Sequence, residues 1–270
     1  MDVSKECDRI EVFIREYLLK SGLDGYVLGL SGGLDSALVM ALACRAVGVD
    51  KVRTYAMPYG KGGTSVEMAN LALNKFPVKH EIIQIHSIVS TIAMTTFGEG
   101  ENDALRLGNI MARTRMIVLY DMATANHSLV LNTSNLSELA LGYTTKYGDN
   151  VGDIAPILHL TKTQIREMAK FVGVPQAIID QKPSAGLVEG QTDEGDLGFT
   201  YEDVDKVLDG FFHLRIMNES VSNLYLWMMF EFPSRVGVSN EVWNKIQKRN
   251  LNNNHKMVPI ASLSPIREDS

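Results

Sequence analysis

The chain has 270 residues, 45% of them hydrophobic, and a formal net charge of -6. Its two cysteines, Cys7 and Cys44, are too few and too far apart for a disulfide framework or a cysteine-rich metal site. No apolar run approaches the roughly 20 residues that a membrane-spanning helix needs, and the acidic balance disfavours nonspecific binding to nucleic acid. The length can bury one sizeable core and allows one domain or two small ones. We expect a cytoplasmic protein, with neither a membrane nor nucleic acid as partner.

The first informative segment is YVLGLSGGLDSALVMALACRAVG, residues 26–48. Its apolar run over residues 26–30 predicts a strand, and the small and aliphatic residues from Ala37 onward predict a helix packed on a sheet. Between them, Gly32 and Gly33 lack a Cβ atom, so backbone N–H groups can approach an anion closely. The helix N-terminus adds partial positive charge. This segment therefore predicts a strand, a phosphate-binding turn and a helix.

Three side chains of the same turn suit a nucleotide. Asp35 places a carboxylate in the first helical turn, where it could hold Mg²⁺ beside phosphates. Ser31 and Ser36 supply hydroxyl donors. The turn therefore predicts a site for a phosphate together with its metal ion.

Two familiar nucleotide-binding loops do not fit this turn. A Walker A loop needs a Lys immediately after its last Gly, and the chain's Gly60-Lys61 pair lacks the required Gly five residues earlier. The dinucleotide fingerprint G-x-G-x-x-G is also missing. We therefore exclude a P-loop NTPase and a Rossmann-type hydride enzyme.

A nucleophile elbow stays open as an alternative. Residues 29–33 satisfy G-x-S-x-G with Ser31 as the nucleophile, and His213 or His255 could serve as the late histidine. That interpretation leaves Asp35 without a role. Taken alone, the turn could also simply join a strand to a helix.

The rest of the chain continues the alternation of strand and helix. Further strands are predicted at residues 51–57, 80–85 and 128–131, and further helices at residues 64–76, 102–125 and from about Ser134. This alternation predicts a doubly wound, mostly parallel α/β sheet flanked by helices. Because ligands of such sheets bind at the carboxyl ends of the strands, the loops after the first and fourth strands should face one crevice.

Glu138 gains interest from this geometry. A lone Glu near the start of a helix usually does no more than complement the helix dipole. If Asp35 and Glu138 open helices at the same sheet edge, however, their carboxylates could share a Mg²⁺ that also binds ATP phosphates. Thr133, in the same loop as Glu138, could then hydrogen-bond the nucleotide.

Several segments carry a resemblance to a known family. SGGLDS at residues 31–36 resembles the PP-loop of ATP pyrophosphatases, which bind ATP and release pyrophosphate after adenylating a substrate. Ammonia-dependent NAD synthetases are similar at GNIMARTRM (108–116), NTSNLSELALGYTTKYGDNVGDIAPI (132–157), PSAGLVEGQTDEGDLG (183–198) and His255-Lys256. The resemblance implies an adenine nucleotide alpha hydrolase-like fold and a single domain over residues 1–270, without a glutaminase domain.

The resemblance also implies a reaction. The carboxylate of deamido-NAD would attack the α-phosphate of ATP, pyrophosphate would leave, and ammonia would then displace AMP to give NAD. Mg²⁺ at Asp35 and Glu138 would neutralise phosphate charge, and Lys162 would add a cationic contact. Asp149 and Glu194 would orient or deprotonate the ammonium. The implied catalytic residues are thus Asp35, Lys162, Asp149 and Glu194.

The remaining implied contacts fall into two sets. ATP would contact Gly29, Leu30, Ser31, Gly32, Gly33, Leu34, Asp35, Ser36, Thr133, Lys162 and Ser184. Deamido-NAD would contact Arg113, Lys146, Asp153, His255 and Lys256. Taken singly, basic residues on a helix or in a glycine-bounded turn indicate only a solvated surface. Their joint occurrence in the matching motifs is what supports a binding role.

The resemblance has two departures and one quaternary implication. Asn132 stands where the family commonly has Gly, and Leu136 stands where Lys is common, so the loop after the fourth strand is expected to differ locally. The family implies a homodimer, with the helix over residues 108–125 as the candidate contact.

Two further functions remain as alternatives. Another PP-loop ligase, which acts on tRNA or as an amidotransferase, would require a cysteine pair, a basic RNA-binding surface or a glutaminase domain. A nucleotide-binding regulator would keep the fold without turnover. The presence of Asp35, Glu138 and Lys162 argues against the regulator.

Overall fold

The structure is a computed structural model, and it describes residues 1–60, 63–98, 103–182, 192–213, 237–253 and 256. Its strands are β1 (Gly25–Gly29), β2 (Val52–Ala56), β3 (Lys79–Ile82) and β4 (Ser128–Val130). They form a sheet in the order β3-β2-β1-β4, and every neighbouring pair is parallel. The fold is therefore the predicted α/β class.

The strand order places a crevice beside β1. Tyr26 of β1 stands opposite Val52 of β2 on one side and Leu129 of β4 on the other. The chain moves outward from β1 to β3 and then returns to the far side of β1 to form β4. Such a reversal opens a ligand crevice at the carboxyl ends of the two strands that flank it.

Helices follow or precede each strand. They are α1 (Val3–Ser21), α2 (Leu34–Val47), α3 (Gly63–Lys75), α4 (His86–Thr96), α5 (Ala104–Ala125), α6 (Leu136–Leu141), α7 (Lys162–Val172), α8 (Gln176–Ile179), α9 (Asp193–Leu197), α10 (Tyr201–His213) and α11 (Asn240–Asn253). A short 3₁₀ turn, Val49–Lys51, precedes β2. Within the described residues, no helix is long and apolar enough to cross a bilayer.

The central strand β1 contributes side chains to two hydrophobic clusters, because its successive side chains point to opposite faces of the sheet. Tyr26 and Leu28 pack into the cluster that contains α1, α2 and α7, whereas Val27 packs into the cluster formed by α4 and α5. A third cluster joins α6, α10 and α11 around Tyr201 and Trp243. This third cluster fixes the helices that close the carboxyl end of the sheet.

The predicted elements match the observed ones to within a few residues. The helix predicted from about Ser134 begins at Leu136, because Asn135 caps it by accepting the Glu138 backbone N–H at 2.9 Å. The helix predicted over residues 102–125 begins at Ala104, because Asp103 accepts the Arg106 backbone N–H at 3.0 Å. Side-chain caps, rather than hydrophobic periodicity, therefore set both starts.

Candidate active site

The turn after β1 has room only for glycine at its centre. Gly32 has a φ of 79°, and a Cβ atom added there would lie 2.2 Å from the backbone oxygen of Ser65. Both the left-handed backbone and the close approach of α3 exclude a side chain. The turn therefore exposes main chain at the end of the strand, as the sequence predicted.

The two serines of the turn first serve its own shape. The Ser36 hydroxyl accepts the Ser31 backbone N–H at 3.3 Å and donates to the Gly33 carbonyl at 3.0 Å. The Ser31 hydroxyl accepts the Gly33 N–H at 3.2 Å. Within the described part of the chain, Gly33 caps α2 without any side-chain hydrogen bond. Backbone donors at the start of α2 thus remain for an anion.

Three charged side chains meet beside this turn. The Lys162 ammonium donates to Asp35 Oδ2 at 2.7 Å and to Glu138 Oε1 at 2.9 Å. Asn135 Nδ2 donates to the other oxygen of Asp35 at 3.1 Å. Asp35 lies in the first turn of α2, Glu138 in α6 and Lys162 at the start of α7. The prediction that the loops after β1 and β4 face one crevice is therefore confirmed.

Burial and mutual attraction set the charges of this trio. Burial raises the pKa of Glu138 to about 7, although the Lys162 ammonium opposes the shift. Burial also disfavours the charge of Lys162, whose side chain is only 3% exposed. The carboxylates of Asp35 and Glu138 outweigh that effect, and the pKa of Lys162 lies above its usual value. Lys162 therefore stays positively charged.

The trio lines a cleft of about 1110 Å³. The cleft is bordered by the glycine turn, by α5 and by the loop that follows α6. Its eight basic lining residues in the described chain are Arg113, Arg115, Lys146, Lys162, Arg166, Lys182, Arg249 and Lys256. Its five acidic ones are Asp35, Glu138, Asp149, Asp193 and Asp196. An acidic chain thus carries a cleft that suits a polyanion.

Comparison with known proteins shows the family of the chain. The family model for NAD synthase matches residues 6–259. The chain belongs to the NAD synthase family. An NH(3)-dependent NAD(+) synthetase from Thermococcus sibiricus is 44% identical over 222 residues, which cover 82% of this chain and 86% of that protein. The resemblance deduced from the sequence motifs is therefore confirmed.

Two solved structures are similar over nearly their whole length. An NH3-dependent NAD synthetase from Campylobacter jejuni, in complex with a nitrate ion, has a TM-score of 0.78 and 29% identity and covers 98% of this chain and 100% of its own. An NMN synthetase from Francisella tularensis has a TM-score of 0.81 and 28% identity, covering 98% and 99%. Both support the fold assigned here to this member of the NAD synthase family.

Most residues that the NAD synthase resemblance implied do line the cleft. The residues implied to contact ATP that line it are Gly29, Leu30, Ser31, Gly32, Gly33, Leu34, Asp35, Ser36, Thr133 and Lys162. Of the implied deamido-NAD contacts, Arg113, Lys146 and Lys256 line it. Ser184 and His255 lie outside the described residues.

Lys256 and Asp149 are held at the cleft by the loop after α6. The Lys256 ammonium donates to the carbonyls of Gly142 and Thr144 at 3.0 and 2.9 Å. The Asp149 carboxylate accepts the Thr145 backbone N–H at 2.7 Å and the Thr144 hydroxyl at 3.0 Å. The structure thus brings this implied ammonium-handling carboxylate to the cleft.

Two other residues to which the resemblance assigns substrate roles form hydrogen bonds with the main chain. The Asp153 carboxylate accepts the Val130 backbone N–H at 2.7 Å, and the Glu194 carboxylate accepts the Tyr201 backbone N–H at 3.0 Å. Neither residue is among those that border the cleft in the described structure, whereas Asp193 and Asp196 are. Their substrate roles stay predictions.

The structure accommodates both departures from the NAD synthase pattern. The buried Asn132 side chain donates to the carbonyls of Asp149 and Val151, both at 3.0 Å. Gly152 makes room for it, since a Cβ atom at Gly152 would lie 2.7 Å from Asn132 Cβ. Leu136 is buried in the cluster formed by α6, α10 and α11. Asn132 therefore ties the Asp149 loop to the end of β4.

Sequence reasoning missed four of the cleft's basic residues. They are Arg115, Arg166, Lys182 and Arg249. Arg115 lies inside the GNIMARTRM segment, so it could have been found; its Nε donates to the Met57 carbonyl at 3.0 Å. Arg249 lies on α11, far along the chain, and only the packing of α11 against α6 brings it to the cleft.

Proposed function

We propose that this chain catalyses the ATP-dependent amidation of deamido-NAD by ammonia, which gives NAD, AMP and pyrophosphate through an acyl adenylate. The observation that carries the proposal is the convergence of Lys162, Asp35 and Glu138 beside the glycine turn. Phosphate groups bound at the glycine turn would lie beside the Lys162 ammonium, which can stabilise the negative charge that develops on the leaving pyrophosphate. Membership of the NAD synthase family favours this reaction over that of another PP-loop ligase.

The donor set beside the turn suits Mg²⁺. Two carboxylates, Asp35 and Glu138, already converge on one cation, the Lys162 ammonium, at 2.7 and 2.9 Å. Magnesium in nucleotide sites takes one or two carboxylates and completes its shell with phosphate oxygens and water. Asp35 and Glu138 would therefore hold the ion. When bound, it neutralises charge on the phosphates.

The chain's own groups prepare ATP for adenylation. The glycine turn and the open start of α2 bind phosphate oxygens through backbone N–H groups. The Lys162 ammonium, released from the carboxylates, contacts the departing pyrophosphate. A carboxylate oxygen of deamido-NAD then bonds to the α-phosphorus, and the bond from this phosphorus to the pyrophosphate oxygen breaks with its electron pair.

Amidation follows on the acyl adenylate. The ammonium loses one proton, and its nitrogen bonds to the acyl carbon. The bond from this carbon to the AMP oxygen breaks with its electron pair, and the nitrogen loses a second proton to give the amide. Asp149 is the proposed proton acceptor, because Thr144 and Thr145 hold its carboxylate at the cleft. Glu194 is kept as a second candidate. Substituting the group that acts should raise the ammonia KM or lower kcat.

The same proposal includes an assembly and a compartment. We infer a cytoplasmic homodimer whose contact is formed by α5, a helix that leaves Leu105 and Ile117 70% and 59% exposed. Exposed aliphatic side chains on a long helix suit a subunit contact. Sedimentation at micromolar concentration tests it, and a monomer would remove this part of the proposal.

One comparison favours a different substrate for amidation, nicotinic acid mononucleotide. The Francisella tularensis structure, an NMN synthetase, is similar over 98% of this chain. The corresponding reaction here would amidate nicotinic acid mononucleotide. Sequence identity is 28% to that structure but 44% to the Thermococcus sibiricus NAD(+) synthetase, which favours deamido-NAD.

The deciding experiment measures pyrophosphate and NAD from Mg-ATP, ammonium and deamido-NAD, with nicotinic acid mononucleotide as the parallel acceptor. We expect release of pyrophosphate that needs deamido-NAD and is lost in Asp35→Ala. Asp50→Ala should keep the wild-type rate, because Asp50 is exposed and is not among the residues that line the cleft. Faster turnover of nicotinic acid mononucleotide would show that it, rather than deamido-NAD, is the substrate that is amidated. ATP binding without release at any ammonium concentration would indicate a regulator.

A further inference from the structure

We propose that Arg249 is an anion-binding residue of the cleft and contacts an acidic group of the dinucleotide substrate. This inference rests on the proposed function and adds a residue to which no sequence motif pointed. The acidic group is either a phosphate or the nicotinate carboxylate, since both present anionic oxygens to a guanidinium.

Arg249 combines exposure to the cleft with an unsatisfied donor. It lies on α11, lines the cleft, and places its guanidinium carbon 5.1 Å from the centre of the Tyr143 ring. Its Nε atom is buried and has no hydrogen-bond partner among the residues that the structure describes. A buried donor without a partner is unfavourable and calls for an explanation. Binding of an anion in the cleft would offset the cost of burying this cation.

A second cation lies close to the first. Lys256 also lines the cleft, and its pKa is lowered by burial and by the positive charge of Arg249, while Asp149 opposes the shift. Keeping two like charges together is costly unless something negative joins them. A ligand with several anionic oxygens would supply that charge.

A continuous row of side chains runs from Lys162, beside the proposed ATP site, to Arg249. Lys162 Nζ lies 5.2 Å from the centre of the Tyr201 ring. The hydroxyls of Tyr201 and Tyr143 each donate to Asp193 at 3.2 Å, one to each carboxylate oxygen. Arg249 then covers the Tyr143 ring.

Lys162 and Arg249 therefore stand at opposite ends of this row. Lys162 is placed for the triphosphate and Arg249 for the acceptor substrate. Arg249 also adjoins the loop after α6, which carries Lys146 and is anchored by Lys256. These are residues already proposed to contact deamido-NAD, so the dinucleotide is the ligand favoured by position.

Calorimetric titration of the full chain with deamido-NAD, NAD and ATP tests the assignment. We expect Arg249→Met to weaken deamido-NAD binding about 10-fold or more, because a charge-assisted contact is lost, and to leave ATP binding within about twofold. Lys248→Met is the matched control, since Lys248 is the exposed neighbour on the same helix. It should bind as wild type does.

The NAD titration identifies the acidic group. Equal weakening for NAD and deamido-NAD assigns Arg249 to a phosphate, because both dinucleotides carry the pyrophosphate. Weakening for deamido-NAD alone assigns it to the carboxylate, which NAD lacks. Either result supports the proposal.

Other outcomes overturn it. Unchanged deamido-NAD affinity in Arg249→Met, with wild type making NAD, would refute this inference alone. An equal loss of ATP affinity would refute the assignment to the dinucleotide. Absence of NAD formation by wild type would instead refute the proposed function. If the Met variant does not fold, Arg249→Lys, which keeps the charge but loses the planar fork, should still weaken deamido-NAD; no change would refute the proposal.

Discussion

At the residue scale, Gly32 shows how one missing Cβ atom creates a phosphate site. We expect Gly32→Ala to lower kcat/KM for ATP about 100-fold, because the new methyl group would meet the Ser65 carbonyl at 2.2 Å and displace the turn. Steady-state kinetics with varied ATP measures the effect.

Gly22→Ala is the matched control for that substitution. Gly22 also has a left-handed backbone, with a φ of 68°, but in the described structure no atom lies within 4 Å of an added Cβ. This variant should lose about 1 kcal/mol of stability from backbone strain and keep its ATP kinetics. Wild-type ATP kinetics in Gly32→Ala would show that the turn does not bind the phosphates.

The same scale shows why some candidate residues were placed only by the structure. Neighbouring residues of a helix point about 100° apart, so a motif that includes both Asp193 and Glu194 does not tell which side chain enters the cleft. Here Asp193 lines it, while Glu194 accepts the Tyr201 backbone N–H. The glycine turn was predictable because its function lies in the main chain, which local sequence controls.

At the element scale, the first turn of α7 holds Lys162 through a complete set of caps. The Lys162 backbone N–H donates to the Ser137 hydroxyl at 3.0 Å, and the Thr163 N–H donates to Asp205 Oδ2 at 2.8 Å. Thr161 and Gln164 form a capping box. The buried Asp205 also accepts the hydroxyl of Ser137, the neighbour of Glu138 on α6. α10 thereby fixes α6 and α7 relative to each other.

This arrangement makes Asp205→Ala a sharp test of how helices position the charged trio. The Thr163 N–H, the Thr163 hydroxyl and the Ser137 hydroxyl would lose a buried carboxylate. We therefore expect about 3 kcal/mol less free energy of unfolding. A shift of the Lys162 backbone should also lower kcat about 10-fold in the protein that remains folded. Urea unfolding and kinetics under native conditions measure the two effects.

Glu202→Ala, at an exposed position of the same helix, is the control for the Asp205 substitution. It should change neither quantity appreciably. A loss of stability in Asp205→Ala with kcat at the wild-type value would mean that α10 supports the fold without positioning Lys162.

Elements were predictable to the extent that their signals are local. Short runs of strand-forming residues predicted all four strands, and the helical spacing of apolar residues predicted the long helix α5. The capping residue Thr161 with Gln164 would have located the start of α7. Arg249 had no such signal. Its place at the cleft depends on Asn250 and Asn253 of α11, which donate to the Ala140 and Leu141 carbonyls of α6. Contacts between residues more than 100 positions apart leave no periodic trace.

At the scale of the whole molecule, chemical labelling of the two buried cysteines can measure how often the core opens. Cys7 of α1 and Cys44 of α2 are free and buried, and burial raises the pKa of Cys7 to about 11 and that of Cys44 to about 12. Because thiol reagents attack the thiolate, neither group should react at pH 8 while the core is closed.

We expect labelling at pH 8 to be at least about 1000-fold slower in the native protein than in urea, because it requires opening. Single-thiol variants Cys7→Ala and Cys44→Ala separate the two sites. α2 begins at the proposed phosphate site, whereas α1 packs against α2 and contributes no residue to the described lining of the cleft. Mg-ATP should therefore protect Cys44 more strongly than Cys7. Mass spectrometry of timed samples measures both rates. Rapid native labelling of Cys44, or equal protection of the two thiols, would show that nucleotide binding does not stabilise α2 in particular.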